Sequence, residues 1–373
     1  MSAIPLPSAE PRATGGGPSS ATPRSQSNGR STWISFKGFL RRHPILCLAL
    51  LSPGIPEYLS SSSALNGIVL NPVLFLLLLA ANLGLYVPGV LLIREAMVRW
   101  KKGWGSVLLL GAAYGILEEG IALSTLYYSN AGPVGSLGYY GHWLGVNWVW
   151  IPGVLLVHMI FSISVPILLL GLALPETRGK SLVGPSGLRW AFAVWAADIP
   201  VLMIVAHVIY NYWMGWTIFF ASFVVIAALV LMAYRASPQL LPTRWGAPRV
   251  TPFQAGAMGV SLFPATLLLD AFLAAWNAPP ALTILALLLY AGGLGYLIVR
   301  TVGTVHNERH LVALAAGLIL PIAVFGLLAE IRLPVTLVAD VAALWFFRHL
   351  WRKYEPSGSL ELAPIPPGVV VAG

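Results

Sequence analysis

The chain has little of two things that soluble enzymes carry in quantity. Only 9% of its 373 residues are Asp, Glu, Lys or Arg, against about 25% in an ordinary soluble domain. It has one cysteine, Cys47, which excludes a disulfide framework or a cysteine-built metal site within the chain. No His-Glu-x-x-His occurs, so the helical zinc-protease signature is absent. The first ~31 residues are rich in Pro, Ser, Gly and Arg and lack the apolar stretch of a signal peptide. They read as disordered.

What remains is apolar. Hydrophobic residues make up 57% of the chain, and they come in runs of about 20, the length that crosses a bilayer as a helix. Ten such runs are expected, at about 44–63, 71–93, 106–128, 148–174, 188–211, 214–234, 253–276, 280–300, 310–329 and 332–350. The expected fold is therefore an all-α, polytopic transmembrane helix bundle. Pro53 and Pro56 interrupt the first run, so a kinked or re-entrant helix is expected there. Residues 1–42 form a basic N-terminal segment and 354–373 a Pro/Gly-rich tail. Between them lie a membrane domain at 43–235 and additional helices at 236–353.

The net charge of +9 could suggest nucleic acid, but its placement points to the membrane. With the N-terminus inside and alternating crossings, 21 of the 22 basic residues fall on the inner side, and only Arg332 falls outside. This bias is the one that sets membrane orientation. It puts both termini on the cytoplasmic side of a multi-pass protein of the cell membrane, with the lipid bilayer and not nucleic acid as its partner. The outer loops are aromatic. Tyr127, Tyr128, Tyr139, Tyr140, Trp143, Trp148, Trp150, Trp213 and Trp216 gather there, either as an interfacial belt or as a lid between the third and fourth spans.

Against this background the polar residues inside the runs stand out: Glu57, Glu118, Glu119, His158, Asp198, His207, Asn211, Asp270 and Asp340. A charged group at a span centre costs roughly 2.5–3.5 kcal/mol, and such groups mark functional sites by default. The adjacent Glu118 and Glu119 are the most costly. At ~1.5 Å per residue, Glu118 and His158 each lie about 15 Å below the outer end of their spans. His207 and Asn211, at i and i+4, share a helix face near the outer end of the fifth span. Gly111, Gly115 and Gly120 keep the third helix thin, which lets neighbours approach closely.

Two carboxylates, two histidines and an amide in one semi-dry cavity fit water activation. A carboxylate acts as general base, and His with Asn donate to a developing oxyanion. The same donors also suit a divalent metal such as Zn²⁺, held by Glu118, His158 and His207.

The order Glu118-Glu119, then His158, then His207-xxx-Asn211 on consecutive spans resembles the CAAX-type (glutamate) intramembrane endopeptidases. Their motifs are Glu-Glu-xxx-Arg, Phe-xxx-His and His-xxx-Asn. The resemblance covers about residues 105–215, with Leu123 in place of the Arg and Val154 in place of the Phe. It implies peptide-bond hydrolysis on a hydrophobic peptide or membrane-protein substrate. Glu118 would be the water-activating base, with Glu119 beside it and His158 its partner; His207 and Asn211 would stabilise the oxyanion. Two rival readings come from the same sequence. Asp198, Asp270 and Asp340 could relay protons in a transporter, and a non-catalytic relative could keep the fold as an immunity or scaffold protein.

Overall fold

The computed structural model describes residues 38, 41–63, 65–241, 246–304, 306–332 and 334–355. Most of the expected N-terminal segment and tail, and Arg244, lie outside the described residues. Ten helical rods follow one another in the expected order: α1 Pro44–Leu59, α2 Pro72–Arg99, α3 Trp104–Ala122, α4 Trp150–Ala173, α5 Pro185–Tyr210, α6 Trp216–Arg235, α7 Pro252–Ala275, α8 Pro280–Thr301, α9 Glu308–Ala329 and α10 Thr336–Lys353. Among the described residues, the only strands are those of a small hairpin, β1 His142–Trp143 and β2 Val146–Asn147.

Eight of the ten, α2 to α9, are long and apolar enough to cross a membrane. The first and last of the ten expected spans fall short of that measure. α1 is a 10-residue α-helix continued by 6 residues of wider π-helix, short of the roughly 20 a span needs. α10 has 18 residues and carries Asp340, Arg348, Arg352 and Lys353. The expected third span also ends early, at Ala122. Ser124 takes a left-handed φ of 60°, and the chain turns back on itself there.

Local chemistry explains the starts. Five of these rods open on a proline at the first helical position, Pro44, Pro72, Pro185, Pro252 and Pro280, where the missing N–H costs nothing. Asn71 caps α2 by accepting the Leu74 N–H at 3.2 Å. Thr251 and Gln254 cap α7 reciprocally.

α4 is the spine. Its Phe161, Val165, Leu169 and Leu172 pack into one apolar cluster with Ile55 of α1, Leu262 of α7 and Ile322 of α9. Its Ile163, Ile167 and Leu170 join a second with Leu48, Tyr86, Val90 and Leu110. Residues after 236 therefore share one core with the earlier helices. Close approach is bought by small residues, as expected. A Cβ on Gly111 would stand 2.9 Å from the Met159 Cα, and one on Gly317 only 2.1 Å from the Gly256 carbonyl. α3 is the most buried of the eight, while α5 and α6 lie at the periphery.

Candidate functional site

Three rods widen from α-helix to π-helix, and each does so at an ionisable residue. Glu57 sits in Gly54–Leu59 of α1, Glu118 and Glu119 in Ile116–Ala122 of α3, and His158 opens His158–Ser164 of α4. Such π turns are rare and gather at functional sites. In α4 part of the cause is visible. Pro166 has no N–H to offer the Ser162 carbonyl four residues earlier. That carbonyl instead accepts the Ser52 hydroxyl of α1 at 2.7 Å.

The three widened turns meet. His158 Nε2 lies 3.0 Å from Glu119 Oε1, and Nδ1 lies 3.0 Å from Glu118 Oε2. Both Glu118 and His158 are fully buried, at 2% and 3% exposure. Gly115 allows the approach, since a Cβ there would stand 3.2 Å from that of His158. Nδ1 also makes an aligned hydrogen bond to Ser162 Oγ at 3.1 Å, and Glu118 Oε2 keeps no aligned partner among the described residues. A neutral imidazole can donate from only one nitrogen, so in that form His158 can donate to only one of the two carboxylates at a time.

Glu119 lacks the arginine of the family motif, yet it is well satisfied. Thr125 Oγ1 donates a short hydrogen bond to Glu119 Oε2, and His158 holds the other oxygen. The loop after α3 thus closes over the site. Trp150 Nε1 donates to Thr125 Oγ1 at 3.3 Å. The buried Asn147 of the hairpin donates to the Thr125 carbonyl at 2.7 Å. Tyr140 anchors this loop to the α7–α8 connection through the Ala278 carbonyl at 2.8 Å and Thr283 Oγ1 at 2.6 Å.

Sequence reasoning left two tyrosines out of the site. Tyr86 donates to Glu57 Oε1 at 2.5 Å and borders Glu118. Tyr114 also borders Glu118, with its ring 5.9 Å from that of His158 and stacked on Trp195. Its buried hydroxyl has no aligned partner. Tyr114 lies four residues before Glu118, on the same helix face, and this spacing was the available signal. Glu57 completes the cluster, held by Tyr86 and by Ser63 Oγ at 2.7 Å. Ser63 in turn accepts from Asn82 at 3.0 Å.

His207 and Asn211 do not join this cluster. Both are exposed. On the last turns of α5 it is Ala206 that faces inward, and one residue on, 100° further round, His207 faces out. Asn211 adopts φ 47°, ψ 42° and ends the helix in the left-handed conformation. The i, i+4 relation therefore breaks before Asn211 can share a face with His207. His207 Nδ1 pairs with the Tyr212 carbonyl at 2.8 Å. Tyr212 itself stacks on Tyr128, and burial pushes its phenol above its ordinary value. The metal set Glu118, His158 and His207 does not fit an ion for the same reason. Among the described residues no three His, Cys, Asp or Glu are arranged to hold one.

The remaining acids lie elsewhere. Asp198 packs over Gly84, Asp270 faces Gly153, and Asp340 lines a groove of about 1120 Å³ between α7, α9 and α10. Each keeps one carboxylate oxygen without an aligned partner. Searches of the chain against protein-family models, curated proteins and solved structures find no match.

Proposed function

We propose that this multi-span protein hydrolyses a hydrophobic peptide, or a membrane-protein segment, at the Glu118–His158–Glu119 centre. The observation that carries the reading is a pair of buried atoms beside His158: Glu118 Oε2, 3.0 Å from Nδ1, and Tyr114 Oη, which borders the same carboxylate. Here one is a base and the other a donor, the two functions that addition of water to a carbonyl requires.

In this reading Glu118 Oε2 takes a proton from water as the water oxygen bonds to the scissile carbonyl carbon. Tyr114 donates to the oxyanion that forms, the role the family resemblance gives to His207 and Asn211. The proton then passes to the leaving amine as the C–N bond breaks, with His158 and Glu119 holding the base in place. The resemblance to CAAX-type endopeptidases supports the Glu–His part of this assignment.

The test is cleavage of hydrophobic peptides by the purified chain in lipid. Replacing Glu118 by Gln should lower the rate by about 10²–10⁴-fold, the usual contribution of a general base. Equal rates would overturn the assignment. A second reading, a proton-coupled permease, is favoured by one feature: the Glu57–Tyr86 pair extends the polar set of α3 and α4 onto two further helices, α1 and α2. Substrate uptake driven by a pH gradient and lost on Glu57→Gln, with no peptide cleavage, would select it.

A further inference from the structure

At the inner end of the bundle lies a second cavity, of about 500 Å³, between the end of α2, the start of α3, the end of α4 and the start of α9. Four cations line it: Arg94, Lys101, Lys102 and Arg178. Its other wall is apolar, with Trp104, Ile167 and Leu311 prominent.

The cations are held in place. The Arg94 guanidinium donates to the Thr177 and Lys180 carbonyls, at 2.6 Å each. Arg178 Nε donates to the Gly171 carbonyl at 2.7 Å. Lys102 is tied to the Ala236 carbonyl at 2.8 Å. Lys101 is exposed and sits in a left-handed turn, with φ 55°, that closes α2 at the rim. Two acids offset part of this charge. Glu95 pairs with Arg94 at 2.7 Å, and Glu308 stands 3.9 Å from Arg178. No acidic side chain is among the lining residues, so positive charge remains in excess.

We propose that this cavity binds the phosphate headgroup of an anionic phospholipid from the inner leaflet. Lys101, Lys102 and Arg178 face the phosphate, Arg94 being taken up by Glu95 and the two carbonyls, and the apolar wall faces the first part of the acyl chains. Three features argue for a lipid over a soluble anion. The distribution of basic residues puts this end at the cytoplasmic surface. Basic pockets between spans on that side are suited to anionic headgroups. And half of the wall is apolar, which a small inorganic anion would leave bare.

The experiment is native mass spectrometry of the full chain in detergent, titrated separately with phosphatidylglycerol, phosphatidylcholine and inorganic phosphate. Phosphatidylglycerol should bind in preference to phosphatidylcholine. The double variant Lys101→Gln/Arg178→Gln should lower its apparent affinity by roughly thirtyfold, about a factor of five for each cation lost near the surface. The double variant Arg235→Gln/Arg300→Gln removes the same charge elsewhere on the inner side and should bind as the parent does. The conservative Lys101→Arg/Arg178→Lys variant should keep most of the affinity, which separates loss of charge from misfolding. Three results would overturn the proposal: no preference between the two lipids, equal loss in both charge-removing variants, or inorganic phosphate competing the lipid off at equal concentration.

Discussion

Two of the buried carboxylate sites, Glu95 and the Glu118–Glu119 pair, are built on opposite principles. At the inner end of α2, Glu95 is fully buried between two arginines. Arg94 meets it at 2.7 Å and Arg99 at 3.1 Å, and the Leu182 N–H donates to it at 2.7 Å. The spare donors of both arginines go to carbonyls of residues 177–183. Every charge there is answered, and the result is a clamp that holds the α4–α5 connection against α2. In the outer half of the bundle three carboxyls, Glu57, Glu118 and Glu119, face one histidine. No Lys or Arg forms an ion pair with them among the described residues. Charge is unbalanced there, and two polar atoms are left without aligned partners. A satisfied cluster of buried charge serves the fold; an unsatisfied one is kept despite its cost, and function is the reason to keep it.

Mutations on the two sides should separate these principles. Glu95→Ala should do the most damage. Removing one partner of a buried ion pair strands the others, at about 3–5 kcal/mol. The expected result is loss of most folded protein, read as a large fall in the thermal midpoint of the detergent-solubilised chain. Should Glu95→Ala melt like the parent, the clamp is not what holds the α4–α5 connection. Glu118→Gln should behave oppositely, with activity lost and a midpoint close to that of the parent, because the amide keeps the size of the carboxylate and the Oε2 contact with His158 Nδ1 is not an aligned hydrogen bond. Tyr114→Phe sharpens the contrast within the site. It deletes a buried hydroxyl without an aligned partner, so stability should rise by about 1 kcal/mol. Peptide cleavage should fall by roughly 10²-fold, the usual loss for one oxyanion donor. A destabilised Tyr114→Phe would mean that its hydroxyl is satisfied in the folded protein.

Much of this was legible in the sequence because lipid imposes a simple rule. Ten helical rods were found where apolar runs of about 20 residues stood, and the Glu118–His158 contact followed from equal depth on neighbouring helices. Depth survives translation from sequence because rise per residue is nearly constant. Rotation does not. His207 was placed in the site by its depth, its spacing to Asn211 and the family resemblance, but which way α5 faces is set by what packs against it, and α5 is peripheral. The π turns were equally hidden. In α4 the turn depends on where a carbonyl freed by proline finds a new donor, as Ser162 does with Ser52 from another helix. Glu95 escaped notice because Arg94 and Arg99 made its surroundings read as an ordinary basic helix end.

The smallest expected effect tests that rotational correction. His207→Ala removes an exposed ring whose one described bond is to the Tyr212 carbonyl in the adjoining loop, so stability should change by no more than about 0.5 kcal/mol. Cleavage should be unchanged, because the side chain points away from Glu118 and the Asn211 turn has already parted the pair. Under the motif's assignment of His207 as an oxyanion donor, the same substitution would cost about 10²–10³-fold. The two outcomes differ by orders of magnitude in one assay, run beside Tyr114→Phe. Loss with His207→Ala and none with Tyr114→Phe would mean that α5 rotates inward in the working state and that the family's donor set holds. The reverse pattern would place the donor on α3, one helical turn from the base it serves.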